Sequence, residues 1–347
     1  MTLNFFNKTP IIVAEISANH NGSLNHAKKL IKTAKNYGAD AVKLQTYTPD
    51  TMTVKSSKKD FLIRQGLWKG FSLWDLYEKA QTPFEWHEEL FAYAKKLKIT
   101  CFSTPFDETA VDLLENLNCP FYKISSFELN HIPLIKKVAK TKKPIIISTG
   151  MANLDEIDLA YNTAKNNGSN EIVLLYCVSN YPSKISDFNF NNIKILKNRY
   201  SCRVGFSDHS LDHKAAVAAV AAGADFFEKH IATQNQKKGF DLAFSLKGSQ
   251  LKKYIEAIKE TQLMMGRDYF FRNSSEKKSK QFKRSIYVTK DIKKNEKFSL
   301  KNIKVIRPGF GVHPFYFEKL LNKKSPISLK KNTSFKKSIL KKINLIK

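Results

Sequence analysis

The chain has 347 residues, 42% of them hydrophobic, with four cysteines and a formal net charge of +28. That length exceeds the usual single domain and the apolar fraction suffices for a large core, so a barrel of about 250 residues with a smaller companion is the natural division. Residues 1–8 lack the charged start and apolar run of a signal peptide, and the longest small-apolar stretch, 215–227, is broken by Gly223 and Asp225, which argues against a membrane span and for a cytoplasmic protein.

Apolar, β-branched runs of strand length occur at 11–17, 41–47, 100–106, 121–126, 144–149, 171–178, 202–207 and 226–231. Between them lie segments of helical spacing, such as the stripe Trp86, Leu90, Ala94 and Leu97, or the alanine-dense 215–222. Eight strand–helix alternations predict a (β/α)8 TIM barrel over 1–266. A doubly wound open sheet would favour a glycine-rich dinucleotide turn after the first strand, and Ser17-Ala-Asn-His-Asn-Gly22 lacks one. Cys101, Cys119, Cys177 and Cys202 have no CxxC spacing and are expected to be buried free thiols.

The strand ends are polar, and in a barrel they converge on one mouth: Glu15; Lys43 and Gln45; Thr104; Lys123, Ser126 and Glu128; Ser148; Tyr181; Ser207 and His209; Glu228 and His230. Lys43 and Lys123 with the hydroxyls of Ser126, Ser148 and Ser207 suit a small dianion bearing phosphate and carboxylate. His209 and His230 supply two imidazoles for a divalent cation open to water and a substrate oxygen, as a Lewis acid polarising an aldehyde requires. Glu15 and Glu128 are available as general acid or base. Asp208 and Glu228, beside those histidines, are expected to face away and support. His20 either lines the site or shapes the first turn, while His26, His87, His131 and His213 read as ordinary polar positions.

Past Gly266 the pattern gives way to the polar stretch 273–280, within a linker at 267–282, and Arg284-Ser-Ile-Tyr-Val-Thr-Lys-Asp-Ile-Lys293 opens a region of short strands over 283–347. The charge concentrates here: from Lys277 to Lys347 there are 22 Lys or Arg against three acids, a net +19. Most are lysines scattered beside Asn, Ser and Ile, without interleaved aromatics, which predicts a solvated surface and no nucleic-acid partner.

Ala14-Glu-Ile-Ser-Ala-Asn-His-Asn-Gly-Ser23, Lys43-Leu-Gln-Thr46, Ser103-Thr-Pro-Phe106, Tyr122-Lys-Ile-Ser-Ser126, Ser148-Thr-Gly150, Gly205-Phe-Ser-Asp-His209 and Glu228-Lys-His230 resemble the sialic acid synthase family along almost the whole chain. The resemblance implies condensation of phosphoenolpyruvate with an acetamido sugar, giving a nine-carbon 2-keto acid in a metal-dependent barrel. It implies a divalent cation (Mg, Mn or Co) on His209 and His230, phosphoenolpyruvate on Lys43, Thr104, Lys123, Ser126, Ser148 and Ser207, and Glu15 and Glu128 assisting ring opening and water addition. Gln45, Tyr181 and Asp241 would contact the sugar.

The region from 283 resembles that family's antifreeze-like (SAF) domain. The implied assembly is a homodimer in which this domain reaches over the partner's barrel mouth, with Arg307 on the sugar. Phe61-Leu-Ile-Arg-Gln-Gly-Leu-Trp-Lys-Gly70, Leu73-Trp-Asp-Leu-Tyr77, Thr82-Pro-Phe-Glu-Trp-His87 and Arg307-Pro-Gly-Phe-Gly-Val-His-Pro314 resemble the branch whose acceptor is 2,4-diacetamido-2,4,6-trideoxy-altropyranose. Ser179, where the neuraminate enzymes carry Asn, also points away from N-acetylmannosamine. The alternative is an N-acetylmannosamine-type acceptor, giving neuraminate or legionaminate. A Schiff-base aldolase using Lys123 or Lys43 is the rival chemistry.

Overall fold

The computed structural model describes residues 5–347. The chain divides into two compact units, one ending at Gly266 and the other spanning Arg267–Lys347.

In the first unit the apolar runs become eight parallel strands: β1 (Ile11–Glu15), β2 (Ala41–Thr46), β3 (Thr100–Pro105), β4 (Tyr122–Ile124), β5 (Ile145–Ser148), β6 (Ile172–Cys177), β7 (Arg203–Asp208) and β8 (Phe226–Ala232). Each pairs with the next, and β8 pairs back onto β1 to close the barrel, with Glu15 in register with both Lys43 and His230. The runs are continuously apolar because such strands are covered on both faces. Outside lie the helices α1 (Leu24–Asn36), α2 (His87–Lys96), α3 (Glu108–Asn116), α4 (Ile132–Lys140), α5 (Leu154–Asn166), α6 (Asn191–Arg199), α7 (His213–Ala221) and α8 (Ser249–Met265). α1 illustrates their logic: the Ser23 side chain accepts from the His26 amide at 3.3 Å, capping the first turn, and Ala27, Leu30, Ile31 and Ala34 form one buried stripe. In α2 the expected stripe buries Leu90 and Ala94, with Trp86 and Leu97 packed partly buried at its ends.

The lower end of the barrel is plugged by aromatic rings. Phe6 contacts Phe121 at 5.1 Å and Phe226 at 6.5 Å between centroids, and Phe102 meets Phe121 at 4.4 Å. Gly205 on β7 allows close approach of β8, since a Cβ there would fall 2.1 Å from the Phe226 carbonyl oxygen and 2.7 Å from its Cβ. Two departures from a plain barrel matter for the site. The β2–α2 connection carries helices Pro49–Met52 and Leu73–Ala80, and β8 is followed by the short strand β9 (Leu246–Lys247), which pairs with Ile231 and Ala232. All four cysteines are free; Cys101, Cys119 and Cys177 are buried and Cys202 half-buried.

The second unit has its own core, with Ile286, Val288, Phe298, Ile303, Phe335 and Leu340 packed around the antiparallel pair β10 (Ser285–Val288) and β11 (Ile303–Ile306). Residues 267–282, expected as a linker, belong to this unit: they include helical turns at Ser274–Lys277 and Lys278–Phe282, and the Gly309 amide donates to the Gln281 carbonyl at 2.8 Å. Among the described residues no helix is long and apolar enough to cross a membrane.

Gly205→Ala is expected to destabilise the barrel by about 3 kcal/mol, because its methyl group meets backbone rather than a yielding side chain. A fall in the urea midpoint at unchanged slope would report it.

Candidate active site

Alternation sends every second strand residue inward, and at the C-terminal ends these positions surround a cavity of about 320 Å3. Lys43, Lys123, Ser126, Ser148, Ser207, His209, Glu228 and His230 all line it, as do Gln45, Glu128, Tyr181 and Asp241. The ends of six strands, β2 and β4 to β8, therefore bring most of the residues expected from the sequence to one place. Arg307 belongs to the second unit, where it is exposed at the end of β11.

The floor is a buried charge network. Lys43 Nζ lies 2.8 Å from Glu15 Oε2 and 3.3 Å from Glu228 Oε1, and donates to Thr104 Oγ1 at 3.1 Å. Lys123 Nζ reaches the same Glu228 oxygen at 3.4 Å. Burial pushes the Glu15 carboxyl up to about 7, against the pull of Lys43. Burial likewise favours a proton on Glu228, yet Lys123 and Lys43 outweigh it and hold that carboxyl below its usual range. Both lysines converge on one Glu228 oxygen while burial disfavours charge on Glu15, so the floor favours an anionic ligand. Ser148 Oγ is buried without a partner and stands ready for that ligand.

Two expectations change in detail. Glu15 and Thr104 lie beneath the cavity, each holding Lys43. Glu228 lines it: two residues before His230, it shares the inward face instead of pointing away. Asp208 does turn outward, accepting from the Ser210 amide at 2.7 Å. Lys229, buried between Glu228 and His230 in sequence but on the opposite face, donates to the carbonyls of Asp208 at 2.9 Å, Ser210, and Phe244 at 3.3 Å. It thus fixes from behind the backbone on either side of His209.

The imidazoles meet the needs of a metal pair. Their ring centroids are 5.5 Å apart. His209 Nδ1 is 2.9 Å from the Val178 carbonyl; donating there, it leaves Nε2 with a free lone pair. Burial lowers His209 to about 4 and takes His230 well below its ordinary value, so both are neutral, the ligand form, at neutral pH. His230 Nδ1 is buried and unpartnered, with Asp241 Oδ2 3.9 Å away. Among the described residues no third His, Cys, Asp or Glu closes the site, so a cation held here would keep positions for water and substrate.

Several contributors escaped sequence reasoning. Ser17, at φ +45°, donates its amide to Glu15 Oε1 at 2.8 Å, bonds Asp241 through its hydroxyl, and receives Gln45 Nε2 at 3.1 Å. It knits acid, acceptor candidates and floor into one unit; the polar residue that closes the first apolar run was its signal. His20 does not line the cavity, because its ring is consumed by the Gly22 amide at 3.2 Å and Thr82 at 3.3 Å. His87 is fully buried rather than an ordinary polar position, 2.8 Å from Thr46 Oγ1.

A closed parallel barrel with this lysine–carboxylate floor and imidazole pair, followed by a small β-rich unit, defines the class, and the chain belongs to the NeuB family, whose profile matches residues 30–269; a SAF domain matches 283–341. The chain is 42% identical over 332 residues to the pseudaminic acid synthase of Campylobacter jejuni, covering 95% of this chain and 97% of that one. It is 43% identical over 325 residues to the pseudaminic acid synthase of Helicobacter pylori, covering 93% and 96%. Among solved structures, the N-acetylneuraminic acid (sialic acid) synthetase of Leptospira borgpetersenii in complex with citrate superposes with a TM-score of 0.71 at 28% identity, over 79% of this chain and 90% of that one.

Glu128 generates a pH-dependent prediction. Burial pushes its carboxyl from 4.5 up to about 7, so between those values the folded protein retains a proton that the unfolded chain releases, and stability is lost as pH rises through that window. Glu128→Gln escapes this loss. Its melting temperature should match the parent near pH 4.5 and exceed it above pH 7, by on the order of 1–2 kcal/mol in stability, while turnover falls.

Proposed function

We propose that this protein is a pseudaminic acid synthase, condensing phosphoenolpyruvate with 2,4-diacetamido-2,4,6-trideoxy-β-L-altropyranose and water to give pseudaminic acid and phosphate. The observation that carries the reading is the placement, in one cavity, of two buried lysines braced by Glu228 beside two neutral imidazoles. One half receives a phosphate and carboxylate, and the other an aldehyde. The near-full-length similarity to pseudaminic acid synthases supports this acceptor over N-acetylmannosamine.

In this reading Lys43 and Lys123, with Ser126, Ser148 and Ser207, hold phosphoenolpyruvate over the floor, and Gln45, Tyr181 and Asp241 hold the opened sugar. A divalent cation (Mg, Mn or Co) on His209 and His230 supplies Lewis acidity at the aldehyde oxygen. The residues orient the phosphoenolpyruvate methylene carbon toward the aldehyde carbon, so that a carbon–carbon bond forms and positive charge appears at the phosphate-bearing carbon. Glu128, at the cavity wall, accepts a proton from the water that adds there. Glu128 passes that proton to the former aldehyde oxygen, the carbon–oxygen bond to phosphate breaks as the new hydroxyl yields its proton to the phosphate and becomes the keto group, and the lysines stabilise the departing hydrogen phosphate dianion. Glu15 keeps Lys43 charged and in place. The proposal includes a cytoplasmic homodimer, which light scattering at working concentration tests.

Phosphate release should require phosphoenolpyruvate and the altropyranose together and stop with EDTA, while N-acetylmannosamine gives little. Release with N-acetylmannosamine alone would sink the acceptor assignment. Trapping of pyruvate by borohydride, indifferent to EDTA, would establish a lysine Schiff base instead. His209→Ala and His230→Ala should each lower turnover at least about 100-fold with an unchanged circular dichroism spectrum. Near-normal rates in either would refute the metal role.

A further inference from the structure

The cavity has two chemically distinct halves, and only the floor comes from strand ends. The other half comes mainly from the long β2–α2 connection, which contributes Met52, Ile63, Trp68, Leu73 and Leu76 to the lining. This segment is tied down at several points. Ile63 exchanges backbone hydrogen bonds with the Gly70–Phe71 strand return, donating to Phe71 at 2.9 Å and accepting from Gly70 at 3.0 Å. Trp68 Nε1 donates to the Phe240 carbonyl at 3.1 Å. At the segment's end, Thr82 and His87 are held by the buried contacts to His20 and Thr46.

These contacts give the wall two properties. Met52, Ile63, Leu73 and Leu76 offer a ligand no donor and no strong acceptor, the single polar hydrogen of Trp68 is already spent on protein, and the Tyr77 hydroxyl is the segment's remaining polar group on the lining. The wall is also continuous with the imidazoles. Trp68 packs 5.8 Å from Tyr181 and 6.4 Å from Phe244, Tyr181 lies 4.4 Å from His209, and Phe244 lies 4.8 Å from His230. A sugar whose aldehyde is at the imidazoles therefore extends its far end along an apolar surface.

We infer that this wall selects the acceptor by its deoxygenated end: the C6 methyl of a 6-deoxy sugar packs against Met52, Ile63 and Leu73, and a 6-hydroxyl in its place loses water without gaining a partner. The inference rests on the synthase reading above and names what in that site chooses the sugar. Acceptance of a methyl and refusal of a hydroxyl on a partnerless apolar surface is worth roughly 10–100-fold in kcat/KM. Selection of this kind acts by leaving a polar group unpaired, so it weakens when the wall gains one polar atom.

The test compares 2,4-diacetamido-2,4,6-trideoxy-altropyranose with its 6-hydroxy counterpart, measuring phosphate release by the full chain with manganese. The parent protein should favour the 6-deoxy sugar roughly 10–100-fold. Ile63→Thr, and separately Met52→Gln on another part of the segment, should reduce that ratio roughly tenfold while KM for phosphoenolpyruvate stays unchanged, which a general loosening of the barrel would not allow. Equal use of both sugars by the parent, or an unaltered ratio in whichever variants fold, overturns the wall assignment and leaves the synthase reading standing. Release with neither sugar overturns the synthase reading, and the wall assignment with it.

Discussion

Four buried charges, Glu15, Lys43, Glu228 and Lys123, hold the upper end of the barrel in its working form. They come from β1, β2, β8 and β4, and the β1–β8 closure is what makes them neighbours. Removing water from such groups is costly, and each is tolerated because another neutralises it; taking one partner away from a buried pair costs about 3–5 kcal/mol. The network therefore constrains the register of the sheet at the level where the reaction occurs. It also leaves Ser148 Oγ, one Glu228 oxygen and His230 Nδ1 without protein partners. Those groups are satisfied best when a ligand arrives, so the site is assembled to bind rather than to rest.

Rigidity around the histidines has a separate origin. Lys229 gathers three carbonyls on the outer face of β8, and Ser17 joins Glu15, Gln45 and Asp241 on the inner one. Neither residue needs to touch a substrate to matter. Between them they fix the ends of β1, β7 and β8, the three strands whose tips must agree to within a fraction of an ångström for two imidazoles to share one ion.

The barrel was legible in the chain because parallel strands covered on both sides are continuously apolar, and the run at 11–17 needs only two residues trimmed to become β1 and the run at 226–231 one residue added to become β8. The strand-end rule likewise picked out Lys43, Lys123, Ser207, His209 and His230, since nothing but position along a strand decides whether such a residue reaches the mouth. Reasoning failed where spacing or long-range pairing decides. Glu228 was placed on the outer face although its two-residue spacing from His230 puts it inside. His87 looks like a surface position on a helix, and only the fold reveals Thr46 beneath it. The strong positive charge of the second unit lies largely on exposed lysines around a small apolar core, as a solvated surface requires.

The long connection between β2 and α2 has a meaning beyond its contacts. The groups that make and break bonds are contributed by many strands, so altering the reaction means altering the whole barrel at once. The apolar surface comes largely from one tethered stretch of chain, and its side chains can change without disturbing the charges below. In the proposed reading the architecture places the reaction and the substrate preference on different parts of the chain.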